Sequence, residues 1–192
     1  MSHTAHRTRR PLLMGALICL SALITALTPA SPASALPFVD LGPSVGKGFG
    51  IYMGDGKRDT SYVGGGLAAR LDVLMFQVEV QLNGLLADVT GDKKTEASFF
   101  SMPVMARFDI SPIPLIKLTV GLGIEQRFLL KQSGDKLFAD SAQFLPISAS
   151  ADFSIPVIGS IGVEARFSPM LSEPAPSADK THDFMIFGHF FF

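Results

Sequence analysis

The stretch FQVEVQLN, residues Phe76–Asn83, decides the fold, because polar and apolar residues alternate through the whole of it. The apolar members are Phe76, Val78, Val80 and Leu82, and the polar members are Gln77, Glu79, Gln81 and Asn83. A repeat of two residues puts each set on one face of a β-strand, whereas a helix repeats every 3.6 residues. The stretch therefore predicts a strand with one apolar and one polar face.

The same two-residue period recurs along the chain and predicts an all-β protein. The eight predicted strands are Ser44–Met53, Tyr62–Val73, Phe76–Asn83, Phe99–Ile110, Ile116–Glu125, Phe144–Phe153, Ser160–Phe167 and Asp183–Phe192. Short connections, near Leu74, at Ser111–Pro114 and at Ile155–Ile158, alternate with longer polar ones. The longer ones are Gly54–Ser61, Gly84–Ser98, Leu129–Gln143 and Ser168–His182. This alternation predicts an up-and-down antiparallel sheet with its long loops at one end.

The strand lengths and the apolar face favour a closed barrel in a membrane. Strands of about ten residues, tilted by about 45°, match the height of a bilayer. In lipid, the unpaired backbone groups of an open sheet edge are too costly, so the sheet must close. The apolar faces of the last seven strands contain no charged residue. Lys47 in the first strand is the exception, and we expect its amine to reach the lipid headgroups from near the start of that strand, unless the register there differs.

A soluble, lipocalin-like barrel that holds an apolar ligand has the same period with its two faces exchanged. Three features favour the membrane over this alternative. The polar face is rich in small residues, such as Gly64, Gly66 and Ser148, that suit a narrow lumen. Opposite charges lie two residues apart on this face in four pairs, which are Arg70 with Asp72, Arg107 with Asp109, Glu125 with Arg127, and Glu164 with Arg166. The phenylalanines of the apolar face lie near strand ends, as in an interfacial girdle.

These features together resemble the small eight-stranded outer-membrane barrels of the OmpA/OmpX type. In that family, the last strand carries the signal that the barrel assembly machinery reads, and Phe184, Ile186, Phe190 and Phe192 match it. The resemblance implies short periplasmic turns, surface-exposed long loops, a periplasmic lead at residues 36–43 and a barrel at 44–192. It also implies the bacterial outer membrane as location, with lipid, lipopolysaccharide and the assembly machinery as partners of a monomer.

The polar face predicts an ion-pair network in the lumen, since eight strands leave just enough space for side chains. Its charged members are Arg70, Asp72, Glu79, Arg107, Asp109, Lys117, Glu125, Arg127, Glu164 and Arg166. The simplest role is a structural plug, because an unpaired buried charge costs several kcal/mol. A narrow, porin-like ion path through the same charges is the alternative.

The sequence predicts no enzyme, cofactor or metal site. The mature chain has two histidines, His182 and His189, and a lipid-modifying barrel enzyme would need one at its outer rim. His182 precedes Asp183, but neighbours in a strand face opposite ways and do not form a dyad.

The first 35 residues have the pattern of a secretory signal peptide, in which Ala33 and Ala35 occupy the small positions of the cleavage site. Removing Arg7, Arg9 and Arg10 with it leaves 13 Lys and Arg against 17 Asp and Glu, a net charge of −4. This charge excludes nucleic acid as an expected partner. The single cysteine, Cys19, lies in the signal, so the mature chain can form no disulfide.

Overall fold

A computed structural model describes residues 39–52, 59–73, 75–90, 95–110, 115–134, 137–172 and 181–192. The predicted signal peptide, including Ala33 and Ala35, lies outside the described residues. The strands are β1 Val39–Tyr52, β2 Asp59–Val73, β3 Phe76–Thr90, β4 Thr95–Asp109, β5 Ile116–Ser133, β6 Ser141–Phe144, β7 Ile147–Ile155, β8 Gly159–Pro169 and β9 Thr181–Phe191. No helix in these ranges is long and apolar enough to cross a membrane.

The strands close into one antiparallel barrel. Apart from β6 and β7, which do not pair with each other, each strand pairs with its neighbours in the chain, and β1 pairs with β9, where Lys47 lies opposite Ile186. Both β6 and β7 pair with β5, so together they occupy one strand position in the barrel wall, interrupted at Leu145 and Pro146. Each such strand position is called a stave here. Pro146 lacks an N–H to donate to the ladder, which explains the interruption. The barrel therefore has eight staves, and the predicted eight-stranded up-and-down barrel is confirmed.

The strands extend beyond most of their predicted bounds. Between β3 and β4, only residues 91–94 connect the strands, whereas the sequence predicted a loop at Gly84–Ser98. Residues 39–43, predicted as a periplasmic lead, belong to β1. The strands continue because every backbone N–H and C=O that leaves the ladder must find another partner, and pairing satisfies both at once.

The predicted phase holds in the last seven staves, and the apolar face is on the outside. Leu67 is 57% exposed and Ile124 is 60% exposed, while Arg70 and Glu125 on the opposite face are each 2% exposed. This arrangement is the reverse of a barrel that holds an apolar ligand in its lumen. It leaves a broad apolar outer surface that only an apolar environment stabilises.

The first strand has the register that puts Lys47 on the outer, exposed face. The expectation that Lys47 lies near the start of its strand is wrong, because it is the ninth of the 14 residues of β1. The predicted start at Ser44 was five residues late, since Val39–Pro43 already pair with β2 through partners from Leu71 to Leu67.

Candidate functional site

The lumen is the candidate site, and its inner end carries a small ion-pair cluster. Lys117 of β5 lies 2.8 Å from Asp72 and 3.6 Å from Asp109. Gln77 donates a hydrogen bond to the same Asp72. Asp40, which pairs across the ladder with Arg70, points to this end as well. This end of the barrel holds the short turns, and its ion pairs are partly exposed.

A deeper layer is built around Arg107, which bridges two carboxylates from opposite sides of the barrel. Its Nη2 donates to Glu79 Oε1 at 2.9 Å and to Glu164 Oε2 at 2.6 Å. Glu79 also accepts a hydrogen bond from Arg70 Nε at 3.0 Å, and Glu164 accepts one from Arg166 Nε at 2.8 Å. These side chains are almost fully buried, so the layer connects β2, β3, β4 and β8 through charge-assisted hydrogen bonds.

Asp152 and His189 complete this layer on the side of β7 and β9. Asp152 Oδ1 lies 3.5 Å from Arg70 Nη1 and also contacts His189 Nε2. The guanidinium of Arg70 lies 3.8 Å from the centre of the Phe191 ring, a cation–π contact. This layer therefore draws its side chains from six of the eight staves, those of β2, β3, β4, β7, β8 and β9.

A third polar group lies further toward the outer end and is centred on Arg127. Arg127 lies 2.7 Å from Glu125 and also forms an ion pair with Asp183. Ser101 donates to Glu125 at 2.7 Å, and the Arg127 guanidinium lies 4.1 Å from the Phe144 ring centre. Arg127 thus marks the boundary between the ion pairs below it and aromatic residues above it.

The outer end of the lumen is apolar. Its buried residues are Tyr62, Leu85, Ala87, Ala97, Phe99, Met185 and Phe187, with Leu129 and Phe138 packed against them. The rings of Phe99 and Phe138 meet edge to face at 5.0 Å. A second apolar cluster, Ala142, Phe144 and Met170, lies where β6 adjoins β8. This apolar layer, named here the outer cap, closes the lumen above Arg127.

All ten charged residues that the sequence assigned to the lumen lie on the inward face, but only some of the anticipated pairs form as expected. Glu125 contacts Arg127, and Glu164 contacts Arg166, each two residues away. Arg70 and Arg107 instead reach across the lumen to carboxylates on other strands. Charges two residues apart on one strand share a face and lie close together. The lumen is also narrow enough for an arginine side chain to reach a carboxylate on a strand across it.

Sequence reasoning missed three acidic members of the network and the outer cap. Asp152 and Asp183 occupy inward positions of correctly phased strands, so counting the inward face to its ends would have found them. Asp40 fell in the supposed lead. The outer cap combines residues at the ends of predicted strands, such as Phe99 and Phe187, with residues from segments that were predicted as loops, such as Leu85 and Ala87.

The two histidines lie on opposite faces of the wall, and His189 points into the lumen toward Asp152. His182 points outward, where its ring lies 6.0 Å from that of Phe167, while Asp183 points into the lumen toward Arg127. The two neighbours therefore lie on opposite sides of the wall. Among the residues that the structure describes, no group of three or more His, Cys, Asp or Glu side chains is arranged to hold a metal ion.

The four residues assigned to the assembly signal line the outer face of β9. Phe184 packs against Phe49 of β1 with ring centres 5.5 Å apart, and Phe190 lies 6.0 Å from Phe192. Ile186 is exposed between them. Together these residues form the apolar edge of the seam at which β9 closes the barrel.

Comparison with known proteins identifies the fold. No protein-family model and no curated protein matches the sequence. The structure is similar to Neisserial surface protein A (NspA), with a TM-score of 0.60, 9% identity, and coverage of 80% of this chain and 95% of that one. It is also similar to the outer membrane protein OprG from Pseudomonas aeruginosa, with a TM-score of 0.51, 11% identity, and coverage of 81% and 96%. The chain therefore has the fold of the small eight-stranded outer-membrane β-barrels.

Proposed function

We propose that this protein is an integral protein of the bacterial outer membrane, with a closed lumen and a structural or surface-interaction role. Its apolar outer face is the first support. Exposed apolar side chains such as Leu67 on β2, Leu122 on β5 and Val163 on β8 are distributed around the barrel, and a surface of this kind is stabilised by lipid. The outer edge, with the longer connections, faces the cell exterior in this proposal.

The observation that carries the closed lumen is the layer around Arg107. Every fully buried Asp, Glu and Arg side chain within the described residues lies within ion-pair distance of an opposite charge. An ion moving through would have to displace these pairs in a low-dielectric interior, which costs several kcal/mol. The outer cap lies across the same path, and the rings of Phe99 and Phe138 meet in it. A plugged lumen is therefore favoured over an ion path. In this proposal, the protein interacts with other molecules through its outer surface.

The proposal assigns no catalytic role. His182 and Asp183 lie on opposite sides of the wall, so the one candidate pair at the outer rim shares no substrate position.

Two measurements test the proposal. The mature protein, extracted in mild detergent, should migrate differently on a denaturing gel before and after boiling, because a closed membrane barrel resists the detergent until heated. In planar lipid bilayers, the same preparation should give no stepwise conductance. Conductance steps that change in size with Arg107→Met would replace the plug with a pore.

We also propose that Phe184, Ile186, Phe190 and Phe192 act as the assembly signal during biogenesis. Deleting Phe192 should lower the yield of heat-modifiable barrel in the outer membrane severalfold, while export to the periplasm continues. Leu171→Ala, which removes an exposed apolar residue elsewhere, is the matched control. A normal barrel yield without Phe192 would contradict the assignment.

A further inference from the structure

Lys47 is a cation on an otherwise apolar part of the outer wall. It is exposed, and its neighbours across the two ladders are Val63 of β2 and Ile186 of β9. Within the part of the chain that the structure describes, Lys47 forms no hydrogen bond or ion pair. A lipid-facing lysine costs roughly 2–4 kcal/mol at the midplane and little near the interface, so its depth decides what it can contact.

Lys47 lies just below the outer edge of the apolar surface. On β1 the outward residues above it, Phe49 and Ile51, are still apolar, whereas the next outward residue on β2 is Ser61, which pairs with the polar Asp88 of β3. Two residues along a tilted strand rise by about 5 Å, which is within the length of a lysine side chain. The Lys47 amine therefore reaches the headgroup level on the outer side by extending along the wall.

The row of outward residues immediately below Lys47 has little side-chain bulk, because three of its four residues are glycine, and the open space over Gly84 and Gly188 is called the depression here. Across the ladders, one row of outward residues consists of Gly84, Gly65, Val45 and Gly188. A Cβ added to Gly188 would meet nothing within 4 Å, and one added to Gly84 would meet only a backbone oxygen at 4.0 Å. Packing against neighbouring protein atoms therefore does not require glycine at position 84 or 188. The space that these glycines leave open faces the lipid.

We propose that Lys47 binds a phosphate of the outer-leaflet glycolipid, and that an acyl chain of the same lipid lies in the depression beside Gly84 and Gly188. The proposal rests on the membrane location given above. Lysine ammonium groups near a membrane surface are attracted to anionic lipid headgroups, whose charge is carried by phosphate, and Lys47 pairs with no anion among the described residues. Because the depression beside Lys47 is apolar, we expect the bound phosphate to belong to a lipid and not to be a free phosphate ion.

The test uses the mature protein in neutral detergent, titrated with diphosphoryl lipid A, dephosphorylated lipid A or phosphatidylglycerol, with bound lipid counted by native mass spectrometry. Wild-type protein should retain diphosphoryl lipid A in preference to the other two. Lys47→Met should raise the apparent Kd about fivefold, since one lysine near a membrane surface contributes about that factor. Lys47→Arg should keep the affinity, and Lys131→Met, which removes an exposed lysine of β5, should not change it.

A second variant tests the depression without changing charge. Gly188→Leu fills the open space and should weaken lipid A binding, with no clash inside the barrel. Equal binding by wild type and Lys47→Met, or equal binding of phosphatidylglycerol, would overturn the inference while two gel mobilities still support the barrel. A single gel mobility for the wild type would instead remove the membrane location, and the inference with it.

Discussion

Residues 77–83 and residues 85–89 of β3 both send alternate side chains into the lumen, but the first segment sends in polar groups and the second sends in apolar ones. The inward set begins with Gln77, Glu79, Gln81 and Asn83, and continues with Leu85, Ala87 and Val89. The outward face changes in the opposite sense, from Val80 and Leu82 to Asp88 and Thr90. In its inner part, β3 therefore has polar side chains in the lumen and apolar side chains outside. In its outer part, the two faces are exchanged.

This contrast shows how one barrel is adapted to two solvents. Where lipid surrounds the wall, apolar side chains face outward and the lumen holds ion pairs such as Arg107 with Glu164. Where the polar outer face indicates water, the lumen becomes an ordinary hydrophobic core around Phe99 and Phe187. The lumen side exchanges between Asn83 and Leu85, and the outward side between Leu86 and Asp88, so the level of Leu86 to Asp88 marks the outer boundary of the membrane in the proposed location.

The largest expected effect comes from breaking the inner layer. Arg107→Met should lower the free energy of unfolding by about 3–5 kcal/mol, because it leaves Glu79 and Glu164 without their shared partner. Reversible urea unfolding in lipid vesicles measures the change. Lys131→Met is the control on the exposed surface. A loss below about 1 kcal/mol would mean that the ion pairs of the lumen are replaceable by an apolar side chain of similar length.

A pair of adjacent phenylalanines tests the outer cap. Phe99 is buried against Phe138, whereas Phe100 lies on the outer face. Phe99→Ala should cost about 3–4 kcal/mol of unfolding free energy by leaving a cavity, while lipid can occupy the space left by Phe100→Ala and reduce its cost. Equal losses in the two variants would show that the cap is not a packed core.

The exchange of faces also explains how much of the structure could be predicted from the sequence. Alternation located all eight staves and assigned ten of the inward charges, because the two-residue period holds wherever lipid surrounds the wall. It failed at Leu85 and Leu86, where two consecutive apolar residues interrupt the pattern although the strand continues. Phe99 and Phe100 interrupt it in the same way on β4. Loops were therefore predicted at the level where the surroundings of the wall change from lipid to water, although the strands continue through it.

The partners of the buried charges could not be predicted by the same reasoning. Strand phase gives the face of a residue but not the height at which side chains of β4 and β8 meet across the lumen. Arg107 and Glu164 are 57 residues apart in sequence and meet only after closure. Register across eight staves decides this contact, and register depends on the sum of all the pairings.

The same substitution at two heights on one strand tests the position of the membrane boundary. Leu67→Arg should cost about 2–3 kcal/mol of folding free energy, because it places a charge on the outer face well within the apolar surface. Ser61→Arg lies on the same face of β2, six residues closer to the outer end, and should cost little. The measurement is urea unfolding in vesicles. Equal costs would place both residues in the same solvent and remove the boundary from this part of the wall.

The smallest expected effect contrasts the two faces of the wall with glycines. Gly188→Ala should change the unfolding free energy by less than about 0.5 kcal/mol, because the added methyl group faces open space outside the barrel. Gly66→Ala is the matched inward change. There a Cβ would lie 1.9 Å from the backbone oxygen of Leu82, so β2 and β3 would have to separate, and overpacking of this kind costs about 1–3 kcal/mol. Because both variants add one methyl group to a strand glycine, strand propensity cancels between them. A cost at Gly188 as large as that at Gly66 would mean that the outer face is packed against something in the measured state.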